Sequence, residues 1–127
     1  MFNHLSTISL KNIKILCNAQ HKKGKEMNVQ IKKGIVEVCV LATLRKAPSY
    51  GYKIISDISE IIEISESTLY PILRRLEQQQ FLETFSRDFN GRTRKYYKIT
   101  PKGIRKIDEF VLEWREIEMV IKFIRER

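Results

Sequence analysis

The chain has 127 residues, 43% of them hydrophobic and 31% charged, a balance typical of one folded domain with a single core. Its 24 lysines and arginines against 15 acidic residues give a formal net charge of +9, which favours a polyanionic partner such as nucleic acid. No apolar run approaches the ~18 residues that would cross a bilayer, so we expect no integral membrane segment.

Residue types that commonly act in catalysis or bind metal ions are sparse. The two histidines, His4 and His21, lie near the N-terminus, and the remainder shows no paired carboxylates, nucleophile elbow or phosphate-binding loop. We therefore expect no enzyme, no cofactor and no metal site. Cys17 and Cys39 lack metal-binding spacing, and we interpret them as reduced thiols of a cytoplasmic protein.

Residues 1–26 differ from the rest of the chain. They carry five lysines against the single acid Glu26, and the apolar stretch Ile8–Cys17 is interrupted by lysines. This segment is either a basic, disordered arm or an upstream extension produced by a misassigned start. A winged-helix domain is predicted for residues 27–100, and a dimerisation helix for residues 101–127.

Two helices are predicted first. The apolar run within Gln30–Arg45 fits a buried strand by periodicity alone, but its length favours a helix, which Pro48 ends. Tyr50–Glu60 places isoleucines at helical spacing and predicts a second, shorter helix.

A third helix carries the first candidate binding residues. It begins near Ser65–Ser67, with Ser67 the expected cap and Ser65 the alternative, because Pro71 is tolerated only near a first turn. One stripe is apolar and predicted to be buried: Leu69, Ile72, Leu73 and Leu76. Polar side chains lie off that stripe and can meet a ligand: Ser67, Thr68, Tyr70, Arg74 and Gln78.

A basic hairpin is predicted next. Phe81–Arg87 and Arg94–Ile99 read as strands around a turn that contains Asn90-Gly91, a strong hairpin signal. Arg92 is expected to contact phosphate or the minor groove. Arg94 and Lys95 are also basic, but neighbours in a strand point to opposite faces, so at most one of them faces DNA directly.

The last helix is predicted from Pro101 towards Arg127, with Thr100 as its cap. Its apolar residues recur every three or four positions from Ile104 to Ile124, and nothing else in the chain is available to cover such a stripe. A second copy of the chain is therefore the expected partner.

Together these elements predict a mainly α fold with a small β-hairpin: a winged helix-turn-helix followed by a long C-terminal dimerisation helix. In that layout a helix enters the major groove and the wing reaches the flanking backbone. The expected partner is double-stranded DNA. A winged-helix protein–protein adaptor and an RNA-binding module are the alternatives, although the basic wing argues against the adaptor.

The chain also resembles the PadR family of bacterial transcriptional regulators, from about Val29 to the C-terminus. The resemblance is carried by motifs in order and at matching spacing: Tyr50-Gly51-Tyr52, Leu69-Tyr70-Pro71, Arg75-Leu76-Glu77, Gly91-Arg92, Arg94-Lys95-Tyr96-Tyr97, Thr100 and Gly103. It implies an operator-binding regulator, usually a repressor released by a small molecule. The single helix after the wing resembles the short PadR subfamily, whose members are homodimers.

Three positions take their interpretation from this resemblance. Trp114, the one tryptophan, lies where an aromatic can line a pore between protomers and stack a flat hydrophobic effector; a plain interface anchor is the alternative. Lys53 replaces a usual acid and adds positive charge near DNA. Gln80 stands where glycine commonly ends the recognition helix, so an easy left-handed cap is expected to be missing.

Overall fold

The computed structural model describes residues 29–127, so the predicted basic extension, both histidines and Cys17 lie outside the described residues. The described elements are α1 (Val29–Thr43), α2 (Gly51–Ser59), α3 (Glu66–Gln78), β1 (Leu82–Phe89), β2 (Arg92–Ile99) and α4 (Pro101–Arg125). β1 and β2 form a two-stranded antiparallel hairpin. The predicted fold class, a winged helix-turn-helix with a long C-terminal helix, is confirmed.

The core lies between the first three helices and the base of the hairpin. The α3 stripe predicted from the sequence is buried, and Leu41, Ile54 and Leu82 meet it from α1, α2 and β1. Helix α4 adds Ile107 near its beginning. This packing fixes one side of α3 against the domain and leaves its other side outside the core.

The start of α3 corrects one expectation. Ser65, and not Ser67, is the N-cap: the Thr68 N–H donates to Ser65 Oγ over 3.3 Å. Pro71 therefore lies inside the helix, where it supplies no N–H to the Ser67 carbonyl. The cap bond two residues earlier explains the difference, because a side-chain acceptor at Ser65 satisfies an otherwise unpaired donor of the first turn.

The end of α3 is capped despite the missing glycine. Gln80 adopts a φ of +64°. Its N–H donates to the Glu77 carbonyl, and the Phe81 N–H donates to the Leu76 carbonyl. These two bonds form a Schellman motif with glutamine in the left-handed position that glycine prefers. The cap is thus retained at a conformational cost.

The hairpin is longer than predicted. Its ladder runs from the Leu82–Ile99 pair to the Phe89–Arg92 pair, leaving a two-residue turn at Asn90 and Gly91. Both turn residues have positive φ, 48° and 77°, as a tight hairpin turn requires. The expectation that Asp88 to Arg92 formed the loop was wrong, because the two-residue turn lets pairing continue to the tip.

Helix α4 begins as the sequence predicts. Thr100 is its N-cap, accepting from the Gly103 N–H over 3.1 Å, and Pro101 occupies the first turn. Gly103 is buried so closely against the α3–β1 junction that an added Cβ would lie 2.2 Å from the Phe81 carbonyl oxygen. The helix is thereby locked beside the hairpin.

Helix α4 stays packed on the domain as far as Trp114, so the expectation that nothing else in the chain covers its apolar stripe is wrong for the first half of the helix. Its exposed surface still carries large apolar side chains: Val111, Leu112, Ile117, Met119, Val120, Ile121, Phe123 and Ile124. Within residues 29–127, no helix is long and apolar enough to cross a membrane.

Candidate nucleic-acid interface

The outer face of α3 presents polar groups to solvent. Ser67, Thr68 and Arg74 are all exposed. The hydroxyls of Ser67 and Thr68 lie 2.9 Å and 3.1 Å from Ser65 Oγ, so both belong to the network that caps the helix. Arg74 forms no ion pair with another residue in the described part of the chain, so its guanidinium can turn to an external acceptor.

Tyr70 lies where α3 crosses the beginning of α2. An added Cβ at Gly51 would lie 2.5 Å from the Tyr70 hydroxyl oxygen, so the missing side chain at Gly51 makes room for this ring. Tyr70 remains 37% exposed. It therefore packs against the start of α2 while keeping an exposed edge for a ligand.

Glu77 joins α3 to the hairpin. The Thr84 hydroxyl donates to Glu77 Oε2 over 2.8 Å, and Lys95 Nζ lies 4.0 Å from Glu77 Oε1. Arg75 on the same helix pairs with Glu37 of α1. Arg75 and Glu77 therefore both form ion pairs within the domain, and Lys95 is partly engaged by Glu77.

A groove separates the helices from the wing. It is lined by Tyr50–Tyr52 at the start of α2, by Tyr70, and by hairpin residues that include Arg92 and Lys95. Its volume is about 590 Å3. Arg92 is exposed at the tip beside the Asn90-Gly91 turn. Four candidate contacts thus face one common space: Tyr70, Arg92, Arg94 and Lys95. The candidates Ser67, Thr68 and Arg74 of α3 do not line it.

Arg94 occupies a different environment from Arg92. Its guanidinium carbon lies 4.0 Å from the centroid of the Tyr50 ring and 4.4 Å from that of Phe89. Arg87 lies similarly over Phe85 and Tyr96. This stack was not predicted, although aromatic and arginine residues alternate along both strands and that alternation is a signal for it.

Lys53 follows Tyr52 on α2 but does not itself line the groove. Lys53 Nζ lies 3.5 Å from Asp57 Oδ1, one helical turn away, in an exposed pair. The neighbouring Glu66 carboxylate raises the pKa of Tyr52, both by its charge and by a hydrogen bond. Asp57, on the same helix as Lys53, partly neutralises the charge of Lys53.

Tyr97 marks the buried side of the wing. It is buried while Tyr96 is only partly so, and Tyr97 is therefore the tyrosine of this pair that belongs to the core. Burial, followed by Tyr70 and Glu77, raises the pKa of Tyr97, and Arg74 opposes this rise. These influences place the outer residues of α3 close to the wing.

Trp114 lies away from this surface. It stacks on Phe110, with ring centroids 5.8 Å apart, and lines a groove of about 320 Å3 between α4 and α1. Ile31, Gly34 and Val38 form the opposite wall of this groove. The indole therefore contacts its own protomer, and its pairing with a symmetry mate stays a prediction.

A capped helix with an exposed polar face, packed in a helix-turn-helix and followed by a basic hairpin, defines a winged helix-turn-helix protein. The family model for the PadR-like transcriptional regulators matches residues 40–109. An uncharacterized protein of Lysinibacillus sphaericus is 34% identical over 101 residues, which cover 76% of this chain and 93% of that protein. The chain belongs to the PadR-like family of transcriptional regulators.

Solved structures agree. A PadR-like transcription factor from Bacteroides fragilis is 35% identical with a TM-score of 0.68, covering 75% of this chain and 94% of that one. A PadR family regulator from Clostridium difficile is 28% identical with a TM-score of 0.65, covering 70% and 96%. Bacillus subtilis PadR, solved with operator DNA, is 22% identical with a TM-score of 0.56, covering 61% and 46%, and shares the fold.

Proposed function

We propose that this chain is a sequence-specific DNA-binding regulator that acts in the cytoplasm as a homodimeric, ligand-responsive repressor. One observation carries the DNA-binding part: Tyr70 of α3 and the basic wing residues Arg92 and Lys95 line a single groove. A duplex fits such a surface because its grooves admit a helix while its phosphates attract the flanking cations. Family membership and the operator complex of Bacillus subtilis PadR support the same partner.

The proposed contacts divide by chemistry. Arg74 can donate two hydrogen bonds to a guanine edge in the major groove, a pairing that contributes ~1–3 kcal/mol of discrimination. Ser67 and Thr68 sit at the exposed start of α3, where hydroxyls and helix N–H groups contact phosphates or bases. The Tyr70 hydroxyl can donate a hydrogen bond to a phosphate of the DNA backbone.

The basic residues around α3 would add electrostatic attraction. Arg92 stands free at the wing tip and is the leading phosphate or minor-groove contact. Lys95 and Lys53 each lie near a carboxylate, Glu77 and Asp57 respectively, so they strengthen the positive field more than they form fixed contacts.

The dimer is proposed to form through α4. Ile117, Ile121 and Ile124 are 43%, 40% and 64% exposed, and they continue the stripe that Ile107 begins in the core. When a second copy covers such a row, the free energy falls by ~25 cal/mol per Å2 of apolar surface buried. A two-fold dimer also presents two wings to two half-sites, as operators require.

A flat hydrophobic effector is proposed to bind beside Trp114. The groove there is lined by the indole, Phe110 and apolar residues of α1, and a planar compound can stack on such rings. Because α4 also carries the dimer surface, an occupied groove would alter how two copies cross. Release from the operator would follow from that change in dimer geometry.

The proposal is tested by titrating labelled duplex DNA at several salt concentrations. We expect log K to fall linearly with log salt, and Arg92→Ala to reduce the slope by about 0.9 per bound protomer. Lys98→Ala is the matched control, since Lys98 is exposed on the same strand but does not line the groove. Footprinting on DNA upstream of its own gene then tests sequence specificity.

Equal binding of single-stranded RNA, or no binding of either nucleic acid, would contradict the proposal. The first outcome would favour the RNA-binding alternative and the second the protein adaptor.

A further inference from the structure

One face of the hairpin carries two arginines in an unusual setting. Arg87 and Arg94 are directly opposite each other in the antiparallel register. Like charges in that position repel each other. Within residues 29–127 neither guanidinium pairs with a carboxylate, and each lies over two aromatic rings. The rings, and not acids, compensate the two charges.

This form of compensation preserves the positive field of the wing. A carboxylate partner would cancel the charge of an arginine, whereas a ring attracts the cation through its quadrupole and carries no net charge. The stack can therefore stiffen the hairpin without weakening its attraction for a polyanion.

Arg94 differs from Arg87 in what it joins. The rings under Arg87, Phe85 and Tyr96, both belong to the hairpin. Arg94 lies between Phe89 at the hairpin tip and Tyr50, the residue that precedes α2. Arg94 thus connects the wing tip to the helix-turn-helix.

The tip needs such a connection. A two-stranded hairpin is marginally stable by itself. Its base is fixed by two backbone hydrogen bonds between Ser49 and Tyr97, of 3.0 Å and 2.7 Å, but these lie several residues from the turn. Arg94 clamps Phe89, which is the ladder partner of Arg92. The position of Phe89 therefore determines where Arg92 is held.

We propose that Arg94 is a positioning residue, which holds the wing tip against the helix-turn-helix so that Arg92 meets the DNA backbone, and that it does not itself contact phosphate. The inference rests on the proposed DNA-binding function. It assigns different roles to two arginines that lie two positions apart: Arg92 contacts the DNA backbone, and Arg94 holds the wing tip in position.

The experiment measures salt-dependent binding of a fluorescein-labelled duplex of arbitrary sequence to the full chain and four variants. These are Arg92→Ala, Arg94→Ala, the double variant of both, and Arg94→Met. Methionine is flexible and packs well on aromatic rings, so it fills the space between Tyr50 and Phe89 without a charge. Arg87→Ala is the control, because it removes an equal charge from the same face without touching Tyr50.

We expect Arg94→Ala to weaken binding roughly 3- to 10-fold and to lower the salt slope as Arg92→Ala does, by about 0.9 per bound protomer. The double variant should match Arg92→Ala alone, because Arg94 acts only through Arg92. Arg94→Met should restore the slope, and Arg87→Ala should change it less than Arg94→Ala. A further loss of about 0.9 in the double variant, or an Arg94→Met slope as low as that of Arg94→Ala, would show a direct phosphate contact.

A second measurement needs no DNA. Amide hydrogen exchange in the free protein should accelerate at Phe89 and Arg92 in Arg94→Ala and stay slow in Arg94→Met. Unchanged exchange in Arg94→Ala overturns the inference even if DNA binding changes. A wild-type chain that fails to bind duplex DNA refutes the proposed function instead, while the exchange data still decide whether Arg94 holds the tip.

Discussion

Replacing Gln80 with glycine should stabilise the protein. Gln80 closes the Schellman motif after α3 with a φ of +64°, and its side chain is exposed. A left-handed conformation costs a residue with a Cβ roughly 1–2 kcal/mol, and glycine adopts it freely. Glycine in turn loses more backbone entropy on folding, roughly 0.5–1 kcal/mol. The balance is a gain of about 0.5–1 kcal/mol in the free energy of unfolding.

Urea denaturation followed by far-ultraviolet circular dichroism measures this gain, at one fixed protein concentration because association contributes to stability. Gln78→Gly is the matched control: Gln78 is also exposed, but it lies in the right-handed last turn of α3. There glycine should destabilise by ~1 kcal/mol. If Gln80→Gly lowers the urea midpoint as Gln78→Gly does, the conformational argument for this cap is refuted.

Three further predictions concern α4. Gly103→Ala should destabilise the protein by at least ~2 kcal/mol in urea titrations, because its Cβ would press on the rigid Phe81 carbonyl. Ile117→Glu combined with Ile121→Glu should yield monomers in sedimentation, since charges on the apolar row oppose its burial. Planar dyes should quench Trp114 fluorescence saturably, and Trp114→Ala should weaken dye binding while leaving operator binding intact.

The first two of these have a control on the same chain. Gly34→Ala lies in a helix with open space around the new Cβ, so it should stabilise where Gly103→Ala destabilises. Lys122→Glu changes the charge of α4 away from the row and should leave the dimer intact. A full dimer in the double isoleucine variant, or loss of the dimer in Trp114→Ala, would contradict the corresponding interpretation.

Local patterns predicted the elements well. The α3 stripe, the Asn90-Gly91 turn and the Thr100 cap are each encoded within a few neighbouring residues, so periodicity and turn chemistry suffice to find them. The choice between Ser65 and Ser67 as cap depended on which hydroxyl accepts a backbone N–H of the first turn, here that of Thr68, and residue type alone does not determine this.

Contacts between separate helices and strands were not predicted from the sequence. Arg94 was grouped with the DNA-contacting residues because its charge is visible in the sequence, but its position beside Tyr50 arises from packing between the hairpin and α2. Gln80 was expected to remove a cap, yet backbone hydrogen bonds from the folded junction hold it in the left-handed region. The neighbours that α1 of the same protomer supplies to Trp114 were not predicted, while the pore between protomers that the resemblance implies stays a prediction.

In the proposed dimer, the length of α4 converts a small rotation at the interface into a larger displacement of the wing. Its 25 residues span ~37 Å, with the DNA-facing domain locked to one end at Gly103 and the apolar row towards the other. If two copies cross near Ile121, the arm back to Gly103 is ~27 Å long, so a change of ~10° in the proposed crossing displaces the wing end by ~5 Å, somewhat under half the ~12 Å width of the major groove. Under the proposed function, an effector bound beside Trp114 would therefore need only a small local change to move both wings away from their half-sites.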